Sequence, residues 1–99
     1  MQIHLTNKAS EWFHNEMFLE KGDFVRFYVR YGGSSPIQHG FSLGVNKEEP
    51  IDLGVLEEID GIKYFIENRD TWYFDGHDLY VDYNEKLDEP LYEYKKNNG

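Results

Sequence analysis

The hydrophobic period of the chain changes at Asp23, and that change limits the fold more than any other feature. Beyond it, DFVRFYVRY puts Val25, Phe27, Val29 and Tyr31 on one side of an extended strand and Phe24, Arg26, Tyr28 and Arg30 on the other. Successive strand side chains point to opposite faces, so this run predicts a half-buried sheet with the first set facing the core. Before Asp23 the period is helical. Ala9, Phe13 and Met17, flanked by Trp12 and Leu19, form an apolar stripe, and Lys8, Glu11, Asn15 and Glu16 lie outside it. Thr6 is placed to cap that helix through its hydroxyl and Gly22 to stop it, which predicts a core-packing helix running to about Lys21. His14, beside the stripe, reads as a boundary residue.

The remaining segments continue the strand pattern. QHGFSLGV alternates Phe41, Leu43 and Val45 with Gly40, Ser42 and Gly44, so one face is bulky and the other bare enough for a ring, a backbone or a ligand to approach closely. An acidic turn around Pro50 precedes a short strand near Ile51 to Leu56. Asp60-Gly61 is a hairpin turn into IKYFIE. NRDTWYFDG fits a short helical or irregular turn closing at Gly76. His77 and Asp78 then open a strand carrying Leu79, Val81 and Tyr83, and LYEYKK supplies an edge strand before a polar tail. The order predicts one domain over residues 1–99, mainly β in an α+β arrangement: two small sheets forming a sandwich or flattened barrel, with one N-terminal helix packed on it.

Charge and composition exclude several functions. Nineteen acidic residues against ten basic ones give a formal charge of −9, which repels phosphate backbones and anionic lipid, so neither a nucleic-acid nor a membrane-surface role is expected. The start of the chain, MQIHLTNKASEW, has neither the basic nor the apolar region of a secretion signal, and no apolar run approaches the ~20 residues of a membrane span. A soluble cytoplasmic protein is the expectation. The complete absence of cysteine excludes disulfides, thiolate metal sites and a cysteine nucleophile. Aromatic residues make up 17% of the chain, so a few large side chains can fill the core.

The stretch that most resembles a site is VRYGGSSPIQHGF, Val29 to Phe41, where paired glycines, two serines and a proline interrupt the strand pattern and lead to a histidine. Gly32, Gly33 and Pro36 set backbone angles that other residues resist. Next to it, Arg26 and Arg30 flank Tyr28 on one strand face. That face can serve an anion or a protein partner, or it can be spent on cation–π contacts and cross-strand ion pairs with the abundant acids.

Three blocks of this sequence, IHLTNKASEWF, DFVRFYVRYGG and the run from Gly61 through the end of the chain, are similar to the HesB/IscA-like, or A-type, iron–sulfur biogenesis domain. Val29-Arg30, Gly61-Ile62-Lys63 and Asp75-Gly76 occupy the slots of that family's strand-end, strand and turn motifs. The resemblance spans nearly the whole chain and implies the family's fold. Cluster-carrying members have one cysteine in the loop after the second strand and a Cys-Gly-Cys near the C-terminus. Here Ser34 stands at the loop position, and no Cys-Gly-Cys occurs. A serine hydroxyl is a far poorer iron ligand than a thiolate, so the resemblance implies no iron–sulfur cluster and no other cofactor is expected. Among relatives, the chain most resembles the cysteine-free YneR-type members.

Three functional classes follow. One is a non-catalytic binding or adaptor protein, linked to iron or iron–sulfur metabolism only through the family, that uses the loop Gly32, Gly33, Ser34, Ser35 and His39 or the Arg26, Tyr28, Arg30 face to contact a protein partner or a small molecule. A homodimer is compatible with its aromatic strand faces. The alternative is a mononuclear metal site built from His39, His77, Asp75 and Asp78, which are suitable donors for iron, zinc or manganese but share no ligand-spacing motif. The third, an enzyme using Ser34 or Ser35 with His39, has the residue types without a recognised framework, so no catalytic residue is assigned.

Overall fold

In the computed structural model, which describes residues 1–96, Thr6 caps the helix as its position predicts. Its Oγ1 accepts the Ala9 N–H at 3.2 Å, and the helix α1 runs over Asn7–Glu16 after a short strand β1, Ile3–Leu5. It stops a full turn before Lys21. Phe18 adopts the left-handed conformation, φ 51°, and the Leu19 N–H donates to the His14 carbonyl at 3.1 Å, closing the helix end. Leaving the helix turns Leu19 into the core and leaves Phe18 83% exposed. Gly22, expected as the stop, belongs to the next turn, where its N–H donates to the Gly61 carbonyl.

The remaining elements are β2 (Phe24–Ser34), β3 (His39–Lys47), β4 (Leu53–Ile59), β5 (Ile62–Glu67), a 3-10 turn (Asn68–Phe74), β6 (His77–Asn84) and β7 (Glu89–Lys96). Residues 97–99, the end of the expected polar tail, lie outside the described residues. One sheet has the order β3-β2-β5-β4, with β2 and β5 parallel and the other pairs antiparallel. The second has the order β1-β6-β7, with β1 and β6 parallel. The mainly β, two-sheet, one-helix architecture predicted from periodicity is the one observed. Asp60-Gly61 makes the expected hairpin, bridging the Ile59–Ile62 pair with φ 52° and 82°. No helix among the described residues is long and apolar enough to cross a membrane.

The core lies between the sheets. Val25 and Phe27 from β2, Ile62, Tyr64 and Ile66 from β5, Leu79 and Val81 from β6, and Ile3, Phe13 and Leu19 are all almost fully buried. Phe27 ties the layers together: its ring lies 5.8 Å from Phe13 of α1, 6.1 Å from Tyr64 of β5 and 6.0 Å from Tyr92 of β7. Tyr31, placed on the same face by alternation, does not join them. It is 90% exposed.

On the other face of β2, the bare position Gly44 receives the ring of Tyr28. A Cβ at Gly44 would stand 2.4 Å from Tyr28 Cζ, so the glycine is needed for this close approach. The strand expected near Ile51 to Leu56 begins two residues later and extends to Ile59. The reason is Glu67, whose carboxylate accepts the N–H groups of Ile51 and Asp52, both at 2.8 Å, so that these donors are satisfied by a side chain instead of a neighbouring strand.

Two expectations follow. Phe27→Ala should cost about 3–5 kcal/mol of stability in urea unfolding, as for large aromatic truncations in packed cores. The Asp52 and Ile51 N–H groups hold the Glu67 carboxyl below the ordinary glutamate value of 4.5. Since its folded value lies under its unfolded one, the stabilisation is complete above about pH 4.5 and disappears as pH falls through the folded value. Glu67→Gln should therefore weaken the protein at neutral pH and flatten the acid side of its stability profile, measured by thermal melts against pH.

Candidate functional site

The Val29 to Phe41 stretch is a tighter structure than its composition suggests. Strand β2 continues through Gly32 and Gly33 to Ser34, which pairs with His39 at the start of β3, so the loop proper is residues 35–38. The register shifts between Tyr31 and Ser34. Gly32 and Gly33 take φ 111° and 68°, angles that side chains resist, and Ser42 Oγ donates to the Gly32 carbonyl at 3.1 Å. Ser35 Oγ accepts the Gln38 N–H at 3.1 Å, closing the loop, and Gln38 Nε2 donates to the Tyr73 carbonyl at 3.2 Å, tying it to the 3-10 turn.

Ser34, Ser35 and Pro36 face Leu43, Leu91 and Tyr92 across a shallow groove of about 240 Å³. Among the described residues, no side-chain hydrogen bond joins His39 to either serine, so the structure shows no paired nucleophile and base. Burial pushes the Tyr92 hydroxyl far above its ordinary value, and burial together with the 3.0 Å hydrogen bond to Tyr73 does the same to Tyr94.

The residues suggested as metal ligands have other contacts. His77 Nδ1 lies 2.8 Å from the Phe74 carbonyl and 3.1 Å from that of Asp75, which makes His77 a brace for the end of the 3-10 turn. Asp75 holds the left-handed position there, and Asp78 accepts the Gln2 N–H at 2.8 Å and lies 3.7 Å from His4. His39 is exposed at the loop exit. Among the described residues, no three His, Asp or Glu side chains converge to hold a metal ion. Nor does the donor set fit an iron–sulfur cluster: the loop offers an exposed serine, and the chain has no thiolate.

The face of Arg26, Tyr28 and Arg30 divides in two. Arg26, with a side chain only 11% exposed, donates to Glu48 at 2.6 Å and to Asp70 at 3.1 Å, and its guanidinium lies 5.8 Å from the centre of the Tyr28 ring. Asp70 is buried and also accepts the Val29 N–H at 3.2 Å, so it fastens the 3-10 turn to β2 beyond the three paired residues of β5. Arg30 is exposed and makes no ion pair among the described residues. Sequence reasoning missed Asp70, Glu48 and Glu67, since in a chain with nineteen acids no local signal marks the few that are buried.

It also missed a run of three rings, two of them exposed and the middle one partly buried against the core. Tyr31 and Phe41 pair across the β2–β3 hairpin with their rings edge-on at 5.8 Å, and Phe41 meets Trp72 of the 3-10 turn edge-on at 5.3 Å. Trp72 is 51% exposed. These rings sit at the end of the sheet beside the loop.

No protein-family model matches the sequence. Over 95 residues the chain is 54% identical to the Bacillus subtilis (strain 168) protein named pyruvate dehydrogenase inhibitor, an alignment covering 96% of this chain and 100% of that protein. The chain belongs to that protein's family. Uncharacterized proteins of Staphylococcus saprophyticus and Staphylococcus aureus (strain MRSA252) are 41% and 37% identical, covering 93% and 96% of this chain and 97% and 100% of their own lengths. The crystal structure of Escherichia coli SufA, described as involved in biosynthesis of iron–sulfur clusters, matches with a TM-score of 0.64 at 20% identity, over 99% of this chain and 82% of that one. The fold is thus the HesB/IscA-like one that the sequence resembles, in a member without cysteine.

The two arginines should separate experimentally. Arg26→Ala strands the buried Asp70 and should cost about 3–5 kcal/mol. Arg30→Ala should change stability by less than ~0.5 kcal/mol, as expected of an exposed side chain. Urea titrations of both variants check this.

Proposed function

We propose that this protein is a non-catalytic inhibitor that acts by binding pyruvate dehydrogenase. The observation that carries the proposal is the 54% identity, over nearly the full length of both chains, to the protein named for that inhibition. The site geometry supports a binding role. The loop serine that stands at the family's cysteine position opens on a groove lined by Leu43, Leu91 and Tyr92, and among the described residues no converging metal-ligand set accompanies it. On this reading the fold of an iron–sulfur biogenesis protein is kept as a scaffold for protein contact, and its cluster chemistry is not.

Purified protein added to purified pyruvate dehydrogenase complex should lower the rate of NADH formation in a dose-dependent manner, with the inhibition saturating at a fixed molar ratio. Titration calorimetry on the same pair should give a matching stoichiometry. An unchanged rate together with no heat of binding defeats the proposal. Turnover of a substrate by the protein alone defeats its non-catalytic part.

A further inference from the structure

Tyr64 carries a polar atom that the fold buries and leaves unpaired. Its ring belongs to the core, wholly buried and 6.0 Å from Phe13 and 6.1 Å from Phe27, yet among the described residues its hydroxyl completes no hydrogen bond. A buried hydroxyl without a partner is a net cost to stability, and a phenylalanine would fill the same core space without it. Two side chains stand near enough to act on the phenol, Ser10 of α1 and Asp60 of the β4–β5 turn. Ser10 is itself nearly buried and does not complete the missing bond.

Both of these neighbours line one cleft of about 250 Å³, together with Glu11, His14 and Asn15. The unpaired phenol therefore lies at the floor of that cleft, behind Ser10. One wall is the outer side of α1 and the other is the hairpin turn, so the two carboxylates, Glu11 and Asp60, come from separate elements. No lysine or arginine lines the cleft. Lys8 pairs with Glu85, and Lys21, whose stem lies against Gly61, is not among the lining residues. Burial, and after it the Asp60 charge, push the Tyr64 hydroxyl above its ordinary value, so it stays protonated in a negative field.

A negative field and unspent acceptors select a cation. A metal ion does not fit, because among the described residues no three His, Asp or Glu side chains converge on one point, and the cleft is several times the ~30 Å³ share of a single water. An ammonium group on an alkyl stem does fit: it has three donors to spend on Glu11, Asp60 and the phenol oxygen, and a stem to occupy the remaining space. We propose that this cleft binds an alkylammonium group, carried by a free amine or by a lysine side chain, between Glu11 and Asp60 with the Tyr64 hydroxyl at its floor. The proposal stands apart from the reading of the protein as an inhibitor.

The test is a titration of the purified protein with n-butylamine, and separately with n-butanol, at neutral pH and constant ionic strength, followed by backbone amide NMR signals and thermal melts. Butylamine should shift the Ser10 and Asn15 signals saturably and raise the melting temperature, and butanol should do neither. Glu11→Gln/Asp60→Asn should weaken butylamine binding by ~10-fold or more, with asparagine keeping the left-handed turn position. Glu49→Gln/Glu89→Gln, which removes the same charge elsewhere, should weaken it by less than ~2-fold. Tyr64→Phe should melt higher than the unsubstituted protein and bind the amine less tightly. A lower melt for Tyr64→Phe means that the phenol is already satisfied and overturns the site. So does the lack of a saturable shift, an equal response to butanol, or an equal loss in the Glu49 and Glu89 pair. With the site upheld, displacement of the protein from purified pyruvate dehydrogenase complex by butylamine assigns the ammonium to a lysine of the complex, and undisturbed binding assigns it to a free amine. A complex that the protein does not bind at all defeats the inhibitor reading, and the amine titration still decides the site.

Discussion

Phe27 is the side chain on which the rest of the structure depends. Neither sheet is large, and the helix is ten residues long, so none of the three layers is stable alone. Phe27 projects from the centre of β2 and touches rings on α1, β5 and β7, so all three layers lose water from the same surface at once. Around it, the parallel register of β2 with β5 covers only three residues, and the 3-10 turn takes over where that pairing ends. Asp70 makes this change of partner possible by accepting the Val29 N–H that β5 no longer reaches.

The same handover creates the surface. β2 outruns its pairing with β5, and its register with β3 shifts between Tyr31 and Ser34. Tyr31 is an exposed ring, while Phe41, its partner on β3, packs against the core and meets Trp72 edge-on. In the shared fold this end of the molecule carries the loop at which the cluster-carrying resemblance places a cysteine. Here Ser34 occupies that loop and aromatic rings surround it, which is a composition suited to contact and not to ligation.

Much of the architecture was legible because it depends on local patterns. The Thr6 cap, the Val25 and Phe27 core face of β2, the Asp60-Gly61 hairpin, the turn closing before His77 and the final edge strand all follow from period and turn chemistry, and they stand where the sequence puts them; Tyr31, on the same face by alternation, does not. The misplacements share a cause. The helix ends before Lys21 because the burial of Leu19, and not its spacing, fixes where the chain leaves the helix. The fourth strand was drawn too early because Glu67, far along the chain, caps the donors of Ile51 and Asp52. In both places a contact distant in sequence overrides a local preference.

The period of each segment, the absence of any thiolate and the excess of negative charge are readable along the chain, and with them a two-sheet fold that cannot carry a cysteine-bound cluster. These are properties of residue type and near-neighbour spacing. Only the tertiary structure decided which of two equivalent-looking arginines is buried, that His77 braces a turn, and that Tyr31, Phe41 and Trp72 meet on the surface. Those outcomes depend on contacts between segments distant in sequence, which the packing of the whole core sets and no single stretch of chain encodes.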